Sequence, residues 1–106
     1  MEVSITPSAT EALFGIYAYH YEYSEEYADL FYDSIMAFMV SKLSEFPFMG
    51  HEYNASRNLY RLIFQKRYNI YYQIRRNQVF VLYIKDGKML FNSELQHPDV
   101  TLPDID

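Results

Sequence analysis

Near residue 57 the spacing of apolar side chains changes once, from steps of three and four residues to steps of two. Helices repeat every 3.6 residues and strands every two, so the switch divides the chain into a helical half and a sheet half. Helices first and strands after predict an α+β fold rather than an alternating α/β one. Ahead of the helices, residues 2–6 alternate, with Val3 and Ile5 on one side, and read as an opening strand ended by Pro7.

Ser8 with Glu11 three residues later predicts a capping box, in which hydroxyl and carboxylate each satisfy one orphan backbone N–H. Ala9, Ala12, Leu13, Ile16, Tyr19 and Tyr23 then share one helical face, and the helix is expected to end near Tyr23. Ser24 followed by Glu25 and Glu26 starts a second helix, with acids at the positive end of its dipole. Its stripe is Ala28, Phe31, Tyr32, Ile35, Phe38, Met39 and Leu43, and the two helices are expected to close as an antiparallel hairpin. Phe46-Pro47-Phe48-Met49-Gly50 stops the second helix: Pro47 disfavours helical geometry before it, and Gly50 permits a turn at positive φ. Residues 51–56 read as loop.

Residues 59–64, 68–75 and 78–84 are runs rich in β-branched and aromatic side chains, joined by Gln65-Lys66-Arg67 and the tight Arg76-Asn77 link. In the middle run Tyr68, Ile70, Tyr72 and Ile74 face one way, and Asn69, Tyr71, Gln73 and Arg75 the other. That predicts an antiparallel sheet of three or more strands with one packed face. Asp86-Gly87 reads as a further turn and residues 89–91 as a little more strand. The expected organisation is one domain over residues 1–97 with a polar tail at 98–106.

With 106 residues, half of them hydrophobic and including 12 Tyr and 8 Phe, the chain can close a single core without staples. It has no cysteine, which excludes disulfides, thiol nucleophiles and thiolate metal sites. The longest apolar run, residues 35–40, is far below the roughly 20 residues of a membrane span, and the start lacks a signal pattern, so the expected place is the cytoplasm. Charge is sorted along the chain. Residues 1–56 carry nine acids against Lys42 alone, and residues 57–88 carry eight bases against Asp86 alone. Residues from 89 onward add four acids, and the whole stands at −5. A positive sheet half can steer toward phosphate or an acidic peptide.

The order β-α-α-β-β-β, with Pro47 and Gly50 closing the helical hairpin, resembles the RelE/ParE superfamily of toxins from type II toxin–antitoxin systems. Phe46-Pro47-Phe48-Met49-Gly50 is similar to the family's Pro-x-x-Gly signature. Arg61-Leu62 with Tyr68-Asn69-Ile70-Tyr71-Tyr72-Gln73-Ile74 is similar to its Leu-Arg and Tyr-x-Ile-x-Tyr-x-Ile core, so Pro47, Gly50, Arg61, Tyr68 and Tyr72 form the structural signature. The resemblance implies a plasmid-stabilisation toxin that inhibits growth, held in check by a cognate antitoxin and needing no cofactor. Its target is either DNA gyrase or the ribosome with its mRNA. The RelE-type branch cleaves mRNA with basic residues and a tyrosine on the sheet. Here Asn69 stands where that branch carries Arg, Lys85-Asp86-Gly87-Lys88 stands where it carries another, and Phe91 falls near its late tyrosine. These departures favour the gyrase-binding branch, which is not enzymatic. The alternatives are a ribosome-dependent mRNA interferase and a non-toxic interaction module.

Lys66, Arg67, Lys85 and Lys88 are the expected target contacts, and Arg67, Lys85 and Lys88 would be the working groups of a ribonuclease. Arg75 and Arg76 share their setting at strand ends, where cations also protect edges from mispairing. Arg61, inside a mostly apolar strand, is expected to anchor the fold through a carboxylate. Glu26, Asp29 and Asp33 share one helical face and read as its solvated side; no Glu-x-x-His spacing accompanies them, and no metal is assigned. His20, His51 and His97 are scattered and read as satisfied or exposed. Tyr68 and Tyr72 are expected in the core, while Tyr60, Tyr71 and Tyr83 stay open between core and contact surface.

Overall fold

The computed structural model describes residues 1–88, so the expected strand at 89–91, Phe91, His97, the boundary at 97 and the tail lie outside the described residues. The elements are β1 (Glu2–Ile5), α1 (Pro7–Tyr21), α2 (Glu25–Glu45), β2 (His51–Asn54), a short 3-10 turn (Ala55–Arg57), β3 (Leu59–Phe64), β4 (Tyr68–Arg75) and β5 (Gln78–Asp86). The α+β order and the helical hairpin stand as the periodicity predicts. The five strands form one sheet in the order β1-β5-β4-β3-β2, antiparallel throughout except that β1 lies parallel to β5.

α1 begins at Pro7, and its cap is Thr6 rather than Ser8. The Thr6 hydroxyl accepts from Ala9 N–H at 3.3 Å and donates to the Val81 carbonyl at 2.8 Å, so one group caps the helix and ties it to β5. Pro at the first helical position has no N–H to leave unsatisfied, which makes Thr-Pro a better start than the Ser8 box. Ser24 caps α2 as expected, accepting from Tyr27 N–H at 3.1 Å. The buried face of α1 is Ala9, Leu13, Ile16 and His20, so the stripe runs to a histidine and leaves Tyr19 and Tyr23 in solvent. A purely apolar pattern search passes over that histidine. Ala28, Phe31, Ile35, Met39 and Leu43 are the buried face of α2, with Tyr32 and Phe38 packed at its margin.

Both helix faces cover one side of the sheet, where they meet Tyr60, Phe64, Tyr68, Ile70, Tyr72, Ile74, Val79, Val81 and Ile84. The other face carries a smaller cluster built on Leu59 and Leu82, with Tyr71, Phe80 and Tyr83 against it. Between the pairs Tyr72–Val81 and Tyr71–Tyr83, β5 holds one extra residue, Leu82. This bulge reverses the alternation of β5, so that Ile84 and Asp86 turn to the helices and Tyr83 and Lys85 to the outer face. Residues 51–54, expected as loop, are an exposed edge strand pairing His51 with Arg61 and Glu52 with Tyr60. Its polar sequence hides the strand, because an edge strand in water has no apolar face to alternate.

Gly50 closes the hairpin for a reason other than the one expected. Its φ is not positive; instead a Cβ there would lie 2.6 Å from the Tyr72 hydroxyl and 3.0 Å from the Arg61 carbonyl. The glycine is needed for close approach, and its N–H donates to the Tyr72 hydroxyl at 2.9 Å. Pro47 acts as expected: Phe46, at φ −128° and ψ 70°, has left the helix.

Candidate functional site

The link from β3 to β4 turns through Gln65 and Lys66, both left-handed at φ 54° and 56°, with Arg67 N–H donating to the Phe64 carbonyl at 3.1 Å. Beside it lies the end of β5: Lys85 is in register with Asn69, Asp86 with Tyr68, and Gly87 N–H donates to the Arg67 carbonyl at 2.9 Å. Lys66, Arg67, Lys85 and Lys88 therefore gather at one end of the sheet. Arg75 and Arg76 sit at the opposite end, where Arg76 and Asn77 form the other left-handed turn. The left-handed region costs a non-glycine residue roughly 1–2 kcal/mol, and Lys66 and Arg76 occupy it at the turn tips.

Within the basic end the four cations differ. Lys66 and Lys88 are exposed and Lys85 is half-buried, whereas Arg67 is folded inward. Its Nε and Nη2 donate to the two oxygens of Asp86 at 2.7 and 2.8 Å, and its guanidinium lies 5.0 Å from the centre of the Tyr68 ring. Asp86, only 2% exposed, also accepts from Lys88 N–H at 3.0 Å. The pair keeps the Arg67 pKa above its ordinary value, chiefly through the hydrogen bonds to Asp86. The carboxylate anchor expected of Arg61 thus belongs to Arg67. The signal that pointed to it is Asp86 itself, the single acid among the eight bases of residues 57–88.

Arg61 lies instead on the outer face, half-buried beside Tyr71 in a cross-strand row His51, Arg61, Tyr71, Tyr83. The next row is Ile63, Asn69 and Lys85. Burial pushes the Tyr71 hydroxyl up and the Arg61 guanidinium pulls it back; the net direction is up, so it is a proton donor near neutrality and not a base. The Tyr53 ring stands edge-on to Tyr71 at 5.6 Å. Of the tyrosines left open, Tyr71 and Tyr83 belong to this outer face. Tyr60 is 8% exposed on the core side, stacked on Tyr72 with centroids 5.3 Å apart. Tyr68 and Tyr72 are fully buried as expected. Among the described residues no group of three or more His, Asp or Glu gathers as a cation site, and no helix is long and apolar enough to cross a membrane.

His20 completes a polar seam under the basic end. It is 4% exposed, its Nε2 lies 2.8 Å from the Tyr68 hydroxyl, and the rings of Tyr27 and Phe31 stand edge-on to it. Burial raises the Tyr68 pKa, so the phenol keeps its proton, and the contact joins it to His20 Nε2 beneath the helix hairpin. The His20 pKa is lowered from 6.5, first by burial and second by the Arg67 charge, with Asp86 opposing. A base with a depressed folded pKa takes up its proton in the unfolded chain first. His20 therefore subtracts nothing above pH 6.5, costs stability as pH falls below 6.5, and stops adding to the loss below its folded pKa. Chemical denaturation at successive pH values is expected to show this loss in the parent and to lack it in His20→Gln. Equal pH slopes in the two proteins would remove His20 from the account.

A search of the curated proteins returns no match to this chain. A family profile described as the ParE toxin of a type II toxin–antitoxin system, parDE, matches residues 3–91. The match runs from within β1 through the helical hairpin and past the end of β5. With a strand, a hairpin closed at Pro47 and Gly50, and a five-stranded sheet within the matched residues, the chain belongs to the ParE toxin family of type II toxin–antitoxin systems.

Proposed function

We propose that this toxin inhibits growth by binding a protein of the replication machinery such as DNA gyrase through the basic end of its sheet, and that an antitoxin encoded beside it holds it inactive. The observation that carries the reading is the convergence of Lys66, Lys85 and Lys88 at that end. Lysines at the rim of a contact steer association and set its salt dependence. An acidic, disordered antitoxin segment that folds on binding would compete for the same charge. Phosphodiester cleavage is less well supplied. It needs a base and cations around the phosphate, each worth roughly 10²–10⁴-fold. Asn69 beside Lys85 offers an amide, Arg67 is occupied by Asp86, and Tyr71 holds its proton.

One observation favours the second reading, ribosome-dependent mRNA cleavage: the outer-face row joins the His51 imidazole, the Arg61 guanidinium and two tyrosines in adjacent strands. The test runs gyrase supercoiling and cleavage-complex assays beside a ribosome-programmed mRNA cleavage assay. The triple variant Lys66→Ala, Lys85→Ala, Lys88→Ala is expected to keep its stability within about 0.5 kcal/mol per site and to lose roughly tenfold or more in gyrase inhibition. Codon-positioned cuts that vanish on Arg61→Ala, with gyrase unaffected, would overturn the choice in favour of the second reading. Unhindered growth on expression without an antitoxin would leave only an interaction module. Co-purification from the native operon tests the antitoxin, which should emerge bound.

A further inference from the structure

We propose that the groove between α1 and α2 binds an arginine side chain presented by a partner protein. The groove opens over about 470 Å³ and is lined by Phe14, Tyr17, Asp29, Tyr32 and Asp33. That volume lies within the roughly 300–1,000 Å³ of ligand-binding clefts. Phe14 and Tyr32 stack nearly parallel across the two helices, 5.9 Å apart at 12°, and Tyr17 stands edge-on to Tyr32 at 5.9 Å. Phe14 remains 54% exposed, so an aromatic face is left in water at the mouth of the groove.

The two carboxylates have different tasks. Tyr17 donates to Asp29 Oδ1 at 2.5 Å, which fixes that carboxylate and raises the phenol to about 12, so the Tyr17 ring stays neutral. Among the described residues Asp33 makes no hydrogen bond or ion pair, and its carboxylate is exposed at the groove. Glu26, Asp29 and Asp33 are exposed, as expected of a solvated face, and two of them line the groove beside aromatic rings.

The chemistry selects the occupant. Stacked rings with carboxylates beside them attract a cation, and the two helices that form the groove carry six acids against Lys42. A hard metal ion needs six or more oxygens, which a wall of rings does not offer. An ammonium is strongly hydrated and compact, and an open groove gives it little reason to shed water. A guanidinium is planar and weakly hydrated, able to lie on Phe14 or Tyr32 while its fork meets Asp33. Free arginine carries its own carboxylate, which the acidic hairpin repels, so the side chain is one borne by a polypeptide.

The proposal does not depend on the toxin reading, because binding is measured on the isolated full chain. Amide NMR spectra are recorded with N-acetyl-arginine methylamide and, in parallel, with the lysine and the neutral citrulline analogues. Saturable shifts confined to the region of Phe14, Tyr17, Asp29, Tyr32 and Asp33 are expected with arginine. Affinity should be about fivefold weaker for lysine and for each of the variants Phe14→Ala and Asp33→Asn, the size of one exposed cation–π or ion contact. Equal binding of citrulline would reduce the site to an apolar cleft, and equal binding of lysine would reduce it to general attraction. Shifts that persist unchanged in both variants, or fall elsewhere, would overturn it, as would an absence of binding by variants' folded parent.

Discussion

Replacing Arg67 with alanine is expected to cost the fold about 3–5 kcal/mol. The Asp86 side chain is fully buried, the Arg67 side chain is 19% exposed, and the two meet in a two-pronged bond of 2.7 and 2.8 Å. Such a pair contributes little beyond an apolar pair of the same shape, because both charges have left water. Removing one partner is different: the carboxylate is left in a buried site without its charged partner. Lys88 N–H would then be the remaining hydrogen-bond donor to Asp86. Asp86→Ala should cost a similar amount, since it strands the guanidinium beside Tyr68. The double variant should cost clearly less than the two singles together, and urea denaturation of all four proteins measures the difference. If Arg67→Ala unfolds within about 1 kcal/mol of the parent, the pair behaves as a surface contact and the account is wrong. The same result governs tests of the proposed function: a loss of activity in Arg67→Ala would report on folding, and the lysines of that end are the residues to change.

Gly50→Ala is expected to destabilise the protein by about 1–3 kcal/mol, the usual cost of an overfilled site. An added methyl would stand 2.6 Å from the Tyr72 hydroxyl, 3.0 Å from Tyr72 Cε1 and 3.0 Å from the Arg61 carbonyl. Tyr72 is fully buried and stacked on Tyr60, and Arg61 is held in the β3 ladder, so neither can withdraw easily. Tyr72→Phe alone should cost about 1 kcal/mol, because the Gly50 N–H loses its acceptor. In combination the two changes should cost less than their sum: removing the hydroxyl removes the tightest of the three contacts. Full additivity would mean that the Arg61 carbonyl, not the hydroxyl, is the obstacle. A Gly50→Ala protein as stable as the parent would show that the segment after Pro47 can move aside.

These two sites also mark how far the sequence could be read. Pro47 and Gly50 were legible as the end of the hairpin, because helix stops are local events. The reason for Gly50 was not, since its neighbours Tyr72 and Arg61 come from strands 22 and 11 residues away in the chain. Lys66, Lys85 and Lys88 were legible as cations at strand ends. That Arg67 differs from them depends on Asp86, which the bulge at Leu82 turns toward the helix side.

What the amino-acid sequence determined by itself is what depends on nearest neighbours: the single change of period near residue 57, the Ser24 cap of α2, the turn at Arg76-Asn77 and the core side of β4. Each rests on backbone geometry and hydrogen bonds within a few residues. What only the tertiary structure decided is which distant segments share a surface. β1 runs parallel to β5, Thr6 caps α1 while bonded to Val81, the polar segment at His51–Asn54 becomes an edge strand, and His20 is buried against Tyr68. A lone strand or a buried polar side chain is unfavourable until its partner arrives, and that partner is chosen by the closed core rather than by any local pattern.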